Sequence, residues 1–297
     1  MQQNVDLVCF GELLWDVLPG QKVAGGAPFN IVNRATALGL RAFVISSVGK
    51  DELGDELVRI VENKGNHSTY IQRHSGYPTS TVEIEVQSDG EPSYTFRQPV
   101  AWDDITINED IVQLTKDART FIYSSLALRD PRSRSVLFDL LDHTSLKICD
   151  VNLREGQYTR STVEAMLKKA DILRMNEFEL QKTVTWLDIK HNRIEDQLKA
   201  LADLYRYDTV IVTLGSEGAL SLKDGRVYRQ SVFPVNVKDT VGSGDAFLAS
   251  YVYGRLSGKE EQDCLRFACA VGAVTASKHG GTPSISMEEI DSLMSSN

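Results

Sequence analysis

Asp239-Thr240-Val241-Gly242-Ser243-Gly244-Asp245-Ala246-Phe247, running on into Leu248 to Leu256, is the stretch whose reading decides the fold. Phe247, Leu248, Tyr251, Val252 and Leu256 recur at helical spacing, so a small-residue turn feeds directly into a helix with an acid in its first turn. Amides at a helix start have no intrahelical acceptor, and with the aligned peptide dipoles they form an anion site, most often for phosphate. A carboxylate repels phosphate. Asp245 therefore makes most sense facing an incoming nucleophile, taking the proton of a hydroxyl as it attacks a phosphoryl group. The alternative at this point is an acid that merely complements the helix dipole.

Composition narrows the setting. A chain of 297 residues, 42% hydrophobic and 25% charged, is long enough for a substantial core. The formal net charge of -9, with no stripe of Lys and Arg, argues against a nucleic-acid or anionic-membrane partner. The N-terminal residues lack the basic and apolar regions of a signal peptide, and no apolar run approaches a membrane span, so a cytoplasmic protein is expected. Cys9, Cys149, Cys264 and Cys269 form no CxxC pair and the histidines show no HExxH spacing, so metal held by His or Cys is not expected. No repeat, low-complexity segment or linker divides the chain, and residues 1–297 read as a single α/β domain.

Along the chain, apolar runs at Val5–Phe10, Ala42–Val48, Thr120–Ser124, Leu146–Val151, Ile172–Met175 and Thr209–Thr213 read as buried strands. Helical patterns at 31–38, 53–61, 134–141 and 264–278 alternate with them, which predicts a mostly parallel sheet covered on both faces. Between Thr81 and Arg97 the pattern changes to strict alternation around Ser88-Asp-Gly-Glu-Pro92, a hairpin with one apolar face. Such a face needs a cover. Residues 12–24 and 74–103 are therefore expected to form a lid, over a ligand cleft or against the same hairpin of a second copy in a homodimer.

Several polar residues sit where chemistry could use them. Asp16 lies among bulky apolar residues and reads as a sugar-hydroxyl acceptor or as a turn residue. Gly25-Gly26-Ala27-Pro28-Phe29-Asn30 is a Gly-rich helix entry with neither Rossmann nor Walker spacing. Asp150, Asn152 and Arg154 follow a strand's C-terminal end, where open α/β sheets place ligands. Asn176 and Glu179 share a helix face, a pattern that suits Mg²⁺ held partly through water and equally suits a capping box. Gly215 and Gly218, after the strand ending at Thr213, allow close approach to a nucleotide or simply a turn.

The sequence resembles the ribokinase-like (PfkB) family of small-molecule kinases over essentially its whole length, and within it the fructokinases. Two motifs carry the resemblance: Gly25-Gly26-Ala-Pro-Phe-Asn30 and, with high specificity, Asp239-Thr-Val-Gly-Ser-Gly-Asp245-Ala-Phe247. It implies a three-layer α/β/α fold with a mostly parallel sheet and a small lid, and ATP-dependent phosphorylation of the 6-hydroxyl of fructose or a similar small sugar. Other family substrates, such as ribose, 2-keto-3-deoxygluconate or a nucleoside, stay open, as does a non-catalytic sugar sensor on the same fold. The resemblance assigns Asp245 as base, Gly242, Ser243 and Gly244 as the phosphoryl cradle, and Asp16, Gly26 and Asn30 as sugar contacts. It places nucleotide and phosphate at Asp150, Asn152, Arg154, Asn176, Glu179, Thr213, Gly215 and Gly218, with Glu179 reaching Mg²⁺ through water. It further implies a monovalent-cation site, usually K⁺, at Asp239, Val241, Thr275, Lys278, Gly280 and Ser284. This chain departs from the family where Val241 replaces a common Thr, Ser243 a common Ala, and Cys269 a common Asn.

Overall fold

Val5 to Phe10 shows why the chain folds in layers: Leu7 and Cys9 enter one apolar core, Val8 and Phe10 another, on opposite faces of one strand. A strand buried on both faces belongs in the middle of a sheet. The computed structural model describes residues 5–18, 20–86 and 92–296. In chain order they form β1 (Val5–Phe10), β2 (Leu14–Leu18), β3 (Gln21–Gly25), α1 (Ala27–Ala37), β4 (Ala42–Gly49), α2 (Glu52–Asn63), β5 (Ile71–His74), β6 (Ser80–Val86) and β7 (Pro92–Phe96). There follow α3 (Glu109–Asp117), β8 (Ala118–Ser124), α4 (Pro131–Leu141), β9 (Lys147–Asp150), α5 (Arg160–Leu167), β10 (Ile172–Asn176), α6 (Glu177–Trp186) and α7 (Ile194–Tyr205). The chain closes with β11 (Thr209–Thr213), β12 (Ala219–Lys223), β13 (Arg226–Gln230), α8 (Ser243–Leu256), α9 (Glu261–Ala276) and α10 (Met287–Ser295).

The main sheet runs β13-β12-β11-β10-β9-β8-β1-β4-β5, parallel except for the antiparallel β12 and β13. Helices α3 to α7 pack into the core on one face, and α1, α2 and α8 to α10 into the core on the other. This is the expected three-layer α/β/α arrangement. Parallel strands put their carboxyl ends on one edge, so Glu12, Asn152, Asn176 and Thr213 all emerge on the same side, where such sheets bind ligands.

A second sheet, β3-β2-β6-β7, stands above that edge. Its centre is a parallel pairing of β2 with β6, Asp16 opposite Val82, flanked by antiparallel β3 and β7. This sheet draws β2 and β3 from the region of residues 12–24 and β6 and β7 from within 74–103, whereas His74 ends β5 of the main sheet, and residues 88–91 of the expected turn lie outside the described residues. The return from this sheet is pinned by a buried ion pair. Arg129 donates to both oxygens of Asp103 at 2.7 and 2.8 Å, and its guanidinium lies 3.8 Å from the centre of the Trp102 ring. The two side chains are 2% and 0% exposed. Removing one partner of such a pair strands the other charge, so Arg129→Ala is expected to lower unfolding free energy by about 3–5 kcal/mol in urea titrations; a loss under about 1 kcal/mol would show that the pair is not holding this segment.

Candidate functional site

Beneath the second sheet lies a cleft of about 760 Å³. Helix α8 points its N-terminus into it. Gly242 caps the helix at φ 72, and a Cβ there would stand 2.3 Å from the Gly281 carbonyl oxygen, so no larger residue fits. Among the described residues, the amides of Gly242, Gly244 and Asp245 have no acceptor in the protein. Three open amides at a helix N-terminus are the physical requirement for an anion cradle.

Asp245 sits in the first turn of that helix and is gripped from far away in sequence. Asn30 Nδ2 donates to its Oδ2 at 2.8 Å across 215 residues, which ties the N-terminal Gly-rich entry of α1 to the start of α8. The other carboxylate oxygen has no protein donor among the described residues and opens on the cleft. Burial, with Asp150 nearby, raises the Asp245 pKa to about 6, against the pull of the Asn30 hydrogen bond and the charges of Arg174 and Arg154. A carboxylate titrating there is ionised at neutral pH yet retains useful proton affinity.

One end of the cleft is rich in acceptors. Asp16, Gly26 and Asn30 all line it. The Asp16 carboxylate lies over Gly25, where a Cβ would stand 2.3 Å from Oδ2, and burial raises its pKa to about 6 while Arg154 pulls it down. The apolar side of this end comes from Leu14, Val82 and Phe96 of the second sheet, with Leu126. At the other end Thr213, Gly215 and Gly218 form a turn, faced by Val232, Val235, Val237 and Val241 and by Cys269, Ala273 and Ala276 of α9. A planar, mostly apolar group fits between those walls.

Asn152, Arg154 and Asn176 line the middle, with Ser243 and Gly244. Asn152 holds a left-handed φ of 41, a conformation Asn tolerates better than most residues. Asp150 and Glu179 stand behind this surface. Asp150 is fully buried and accepts from Arg174 Nη1 at 2.9 Å, while Arg174 Nη2 donates to Thr213 Oγ1 at 3.0 Å. The guanidinium passes so close to α8 that a Cβ at Gly244 would stand 2.7 Å from Nη2. Glu179 is 2% exposed and accepts the Leu153 and Asn176 amides, each at 2.8 Å, while Asn176 accepts the Glu179 amide. The pair therefore forms a capping box whose carboxylate also fixes the loop carrying Asn152 and Arg154. Burial, then the Asp150 charge, raises the Glu179 pKa, against Arg174.

The residues assigned to a monovalent cation adjoin the cradle. Asp239 accepts the Val241 and Gly280 amides, both at 2.9 Å, and so joins the loop before α8 to the loop after α9. Thr275 Oγ1 donates to the Val271 carbonyl inside α9, and Lys278 Nζ to the Ser284 carbonyl at 2.7 Å. Two cleft residues were not singled out in the sequence. Glu12 is 3% exposed and follows directly on β1; Arg174 is 7% exposed and is the one charged residue within Ile172–Met175. A charge inside an apolar strand was the available signal for the second.

A model described as pfkB family carbohydrate kinase matches residues 2–288. Fructokinase-1 of Oryza sativa subsp. japonica is 30% identical, with 98% of each chain covered. The structure of a fructokinase with bound ATP from Xylella fastidiosa superposes with a TM-score of 0.86 at 24% identity over 99% of both chains. A 2-dehydro-3-deoxygluconokinase from Thermotoga maritima does so with a TM-score of 0.85 at 21% identity, over 98% of this chain and 99% of the other.

The elevated Asp245 pKa has a consequence for stability. A carboxyl whose folded pKa exceeds its ordinary value favours folding only while protonated, and that contribution is lost as pH rises through about 6. Ionised Asp245 thus costs on the order of 2–3 kcal/mol at pH 8. Asp245→Asn is expected to melt no lower than the wild type at pH 8, with the difference shrinking below about pH 6 and closing only as pH falls to the ordinary carboxyl range near 4; a clearly lower melting temperature at pH 8 would contradict the assignment.

Proposed function

Because the chain belongs to the pfkB family of carbohydrate kinases, we propose that it transfers the γ-phosphoryl group of ATP to the 6-hydroxyl of fructose, giving fructose 6-phosphate and ADP. The observation that carries the reading is the Asn30–Asp245 hydrogen bond of 2.8 Å, set at the mouth of a helix with open amides. It puts a proton acceptor and an anion cradle side by side, which is what phosphoryl transfer to a hydroxyl requires.

Each residue then has a task. Asp16, Gly26 and Asn30 hold sugar hydroxyls and aim one at the cradle. Asp245 accepts that hydroxyl's proton as the oxygen attacks phosphorus, and Asn30 keeps the carboxylate turned toward it. The open amides of Gly242, Gly244 and Asp245 stabilise charge on the transferring group, whereas the Ser243 amide, expected from the sequence to share in the cradle, donates to the Thr240 carbonyl at 3.2 Å. Thr213, Gly215 and Gly218, with the valine wall, seat the nucleotide, and Asn152, Arg154 and Asn176 reach its phosphates. Mg²⁺-ATP supplies the phosphoryl group and leaves as ADP when the bond to its bridging oxygen breaks.

The donor set fits a Mg²⁺ carried mainly by phosphates and water. Among the described residues no group of three or more His, Cys, Asp or Glu could hold a metal, and Glu179 uses both oxygens on backbone amides. K⁺ is proposed at the two loops that carry Asp239, Val241, Thr275, Lys278, Gly280 and Ser284, where Asp239 already accepts the Val241 and Gly280 amides and the Ser284 carbonyl accepts from Lys278. Rates that are equal in KCl and NaCl at matched ionic strength would remove it.

Fructose is supported by the relatives named as fructokinases. A second reading, an acidic sugar such as 2-keto-3-deoxygluconate, is favoured by Arg154, a cation lining the cleft within electrostatic reach of Asp16. A panel of sugars with ATP and Mg²⁺ separates them: fructose should lead in kcat/KM by at least about tenfold, and a lead by an acidic sugar or ribose overturns the assignment. Asp245→Asn should lower kcat by about 10²–10⁴. In the wild type, kcat/KM should fall as pH drops below about 6, where Asp245 takes up a proton. An acid limb near pH 4, or near-normal turnover in the variant, would remove Asp245 as base.

A further inference from the structure

The Glu12 carboxylate has one oxygen that the fold uses and one that it leaves bare. Oε1 accepts the Ala27 amide at 3.0 Å, giving α1 the cap that Gly26 has no side chain to provide. Oε2 is buried and meets no donor. A buried acceptor without a partner is costly and asks for an explanation. The cap does not supply one, since a single amide oxygen would serve Ala27 without burying a charge.

Glu12 belongs to the acceptor-rich end of the cleft. Glu12 lines it beside Asp16 and Asn30, and Asn30 Oδ1 is likewise buried without a partner. Burial raises the Glu12 pKa to about 7, with Arg154 pulling it down and Asp245 pushing it up, so these groups share one space. A polyol brings hydroxyl donors to that space.

We propose that Glu12 is a sugar-specificity residue: Oε1 stays on Ala27, and Oε2 takes a hydroxyl of the bound sugar other than the one that is phosphorylated. The inference rests on the reading that a sugar occupies this end of the cleft. A site built to hydrogen-bond a hydroxyl rejects the analogue that lacks it, because the protein group is left unpaired. Glu12 thereby selects among sugars without touching the reacting atoms.

The test uses the sugar that heads the panel, whichever it proves to be, and its monodeoxy analogues. Glu12→Gln keeps the side-chain length and one oxygen for Ala27 while placing an amide donor where Oε2 stood. Sugar affinity by calorimetry without nucleotide, and KM for the sugar, should each weaken about 10- to 100-fold, with KM for ATP unchanged and kcat altered less than KM. One deoxy analogue should bind the wild type about 10- to 100-fold more weakly than its parent, yet show no such penalty in Glu12→Gln, which identifies the hydroxyl. Glu12→Asp, which withdraws the carboxylate by one methylene, should give the same selective loss. Unaltered sugar binding in both variants, full deoxy penalties throughout the Gln variant, or loss of the folded state in both would reduce Glu12 to a helix cap. Failure of the fructose reading changes which sugar heads the panel; failure of this one leaves that sugar's binding indifferent to Glu12.

Discussion

The hydrogen bond from Asn30 to Asp245 is the contact on which the site depends, because it joins elements that sequence keeps 215 residues apart. Asn30 lies in the first turns of α1 and Asp245 in the first turn of α8, and both helices belong to the core on the same face of the main sheet. Gly281 shows how tightly the two are drawn together. Its carbonyl stands where a Gly242 side chain would be, and a Cβ of its own would lie 3.0 Å from Asn30 Nδ2. Fold and site are therefore specified by the same packing.

Charge is the second constraint. Glu12, Asp16 and Asp245 line the cleft and Asp150 and Glu179 stand buried behind it, five acids against Arg154 and Arg174. Burying that many acids is unfavourable unless each has a partner or gives up its charge. The structure uses both solutions. Asp150 is paired with Arg174, and Glu179 is held by two backbone amides. Glu12, Asp16 and Asp245 have raised proton affinities instead. Arg174 also delivers its charge under the cradle, where the open space above Gly244 admits it.

Much of this was legible in the sequence, for stated physical reasons. The period-2 and helical patterns locate the strands and helices of the main layers, and the Gly-rich stretches mark where backbone must come close to something else. The second sheet was legible only in part. The alternation from Thr81 to Arg97 shows a strand with one apolar face, but the parallel pairing of β2 with β6 is a long-range register that no local pattern encodes. The helices α3, α5, α7 and α10 escaped: α3, α5 and α10 are only eight or nine residues long, and α7 carries a helical apolar pattern that was not read. The buried network followed the logic of the second sheet. Asp150 follows a strand and reads as a ligand contact, whereas its oxygen is committed to Arg174 on the neighbouring strand, a pairing set by register. For Asn176 and Glu179 the spacing fits a cap and a phosphate-side motif alike, and in the folded chain the hydrogen bonds of the cap are formed.

The middle of the cleft and its acceptor-rich end have opposite polarity, and this organises its chemistry. In the middle, where α8 begins, the protein offers donors: the amides of Gly242, Gly244 and Asp245, with Arg154 and Arg174 nearby. At the acceptor-rich end it offers the Asp16 carboxylate, Glu12 Oε2 and Asn30 Oδ1, the last two buried with no donor of their own. The first region suits an anion, and the second a molecule rich in hydroxyl donors. Asp245 stands at the seam, with an open amide and a carboxylate held by Asn30. In the proposed reaction that carboxylate takes the proton of the attacking hydroxyl beside the amides that stabilise charge on the transferring group. The places of hydroxyl and phosphate in the proposed reaction thus follow from the order in which donors and acceptors line one cleft, beside the apolar side chains of the second sheet's Leu14, Val82 and Phe96.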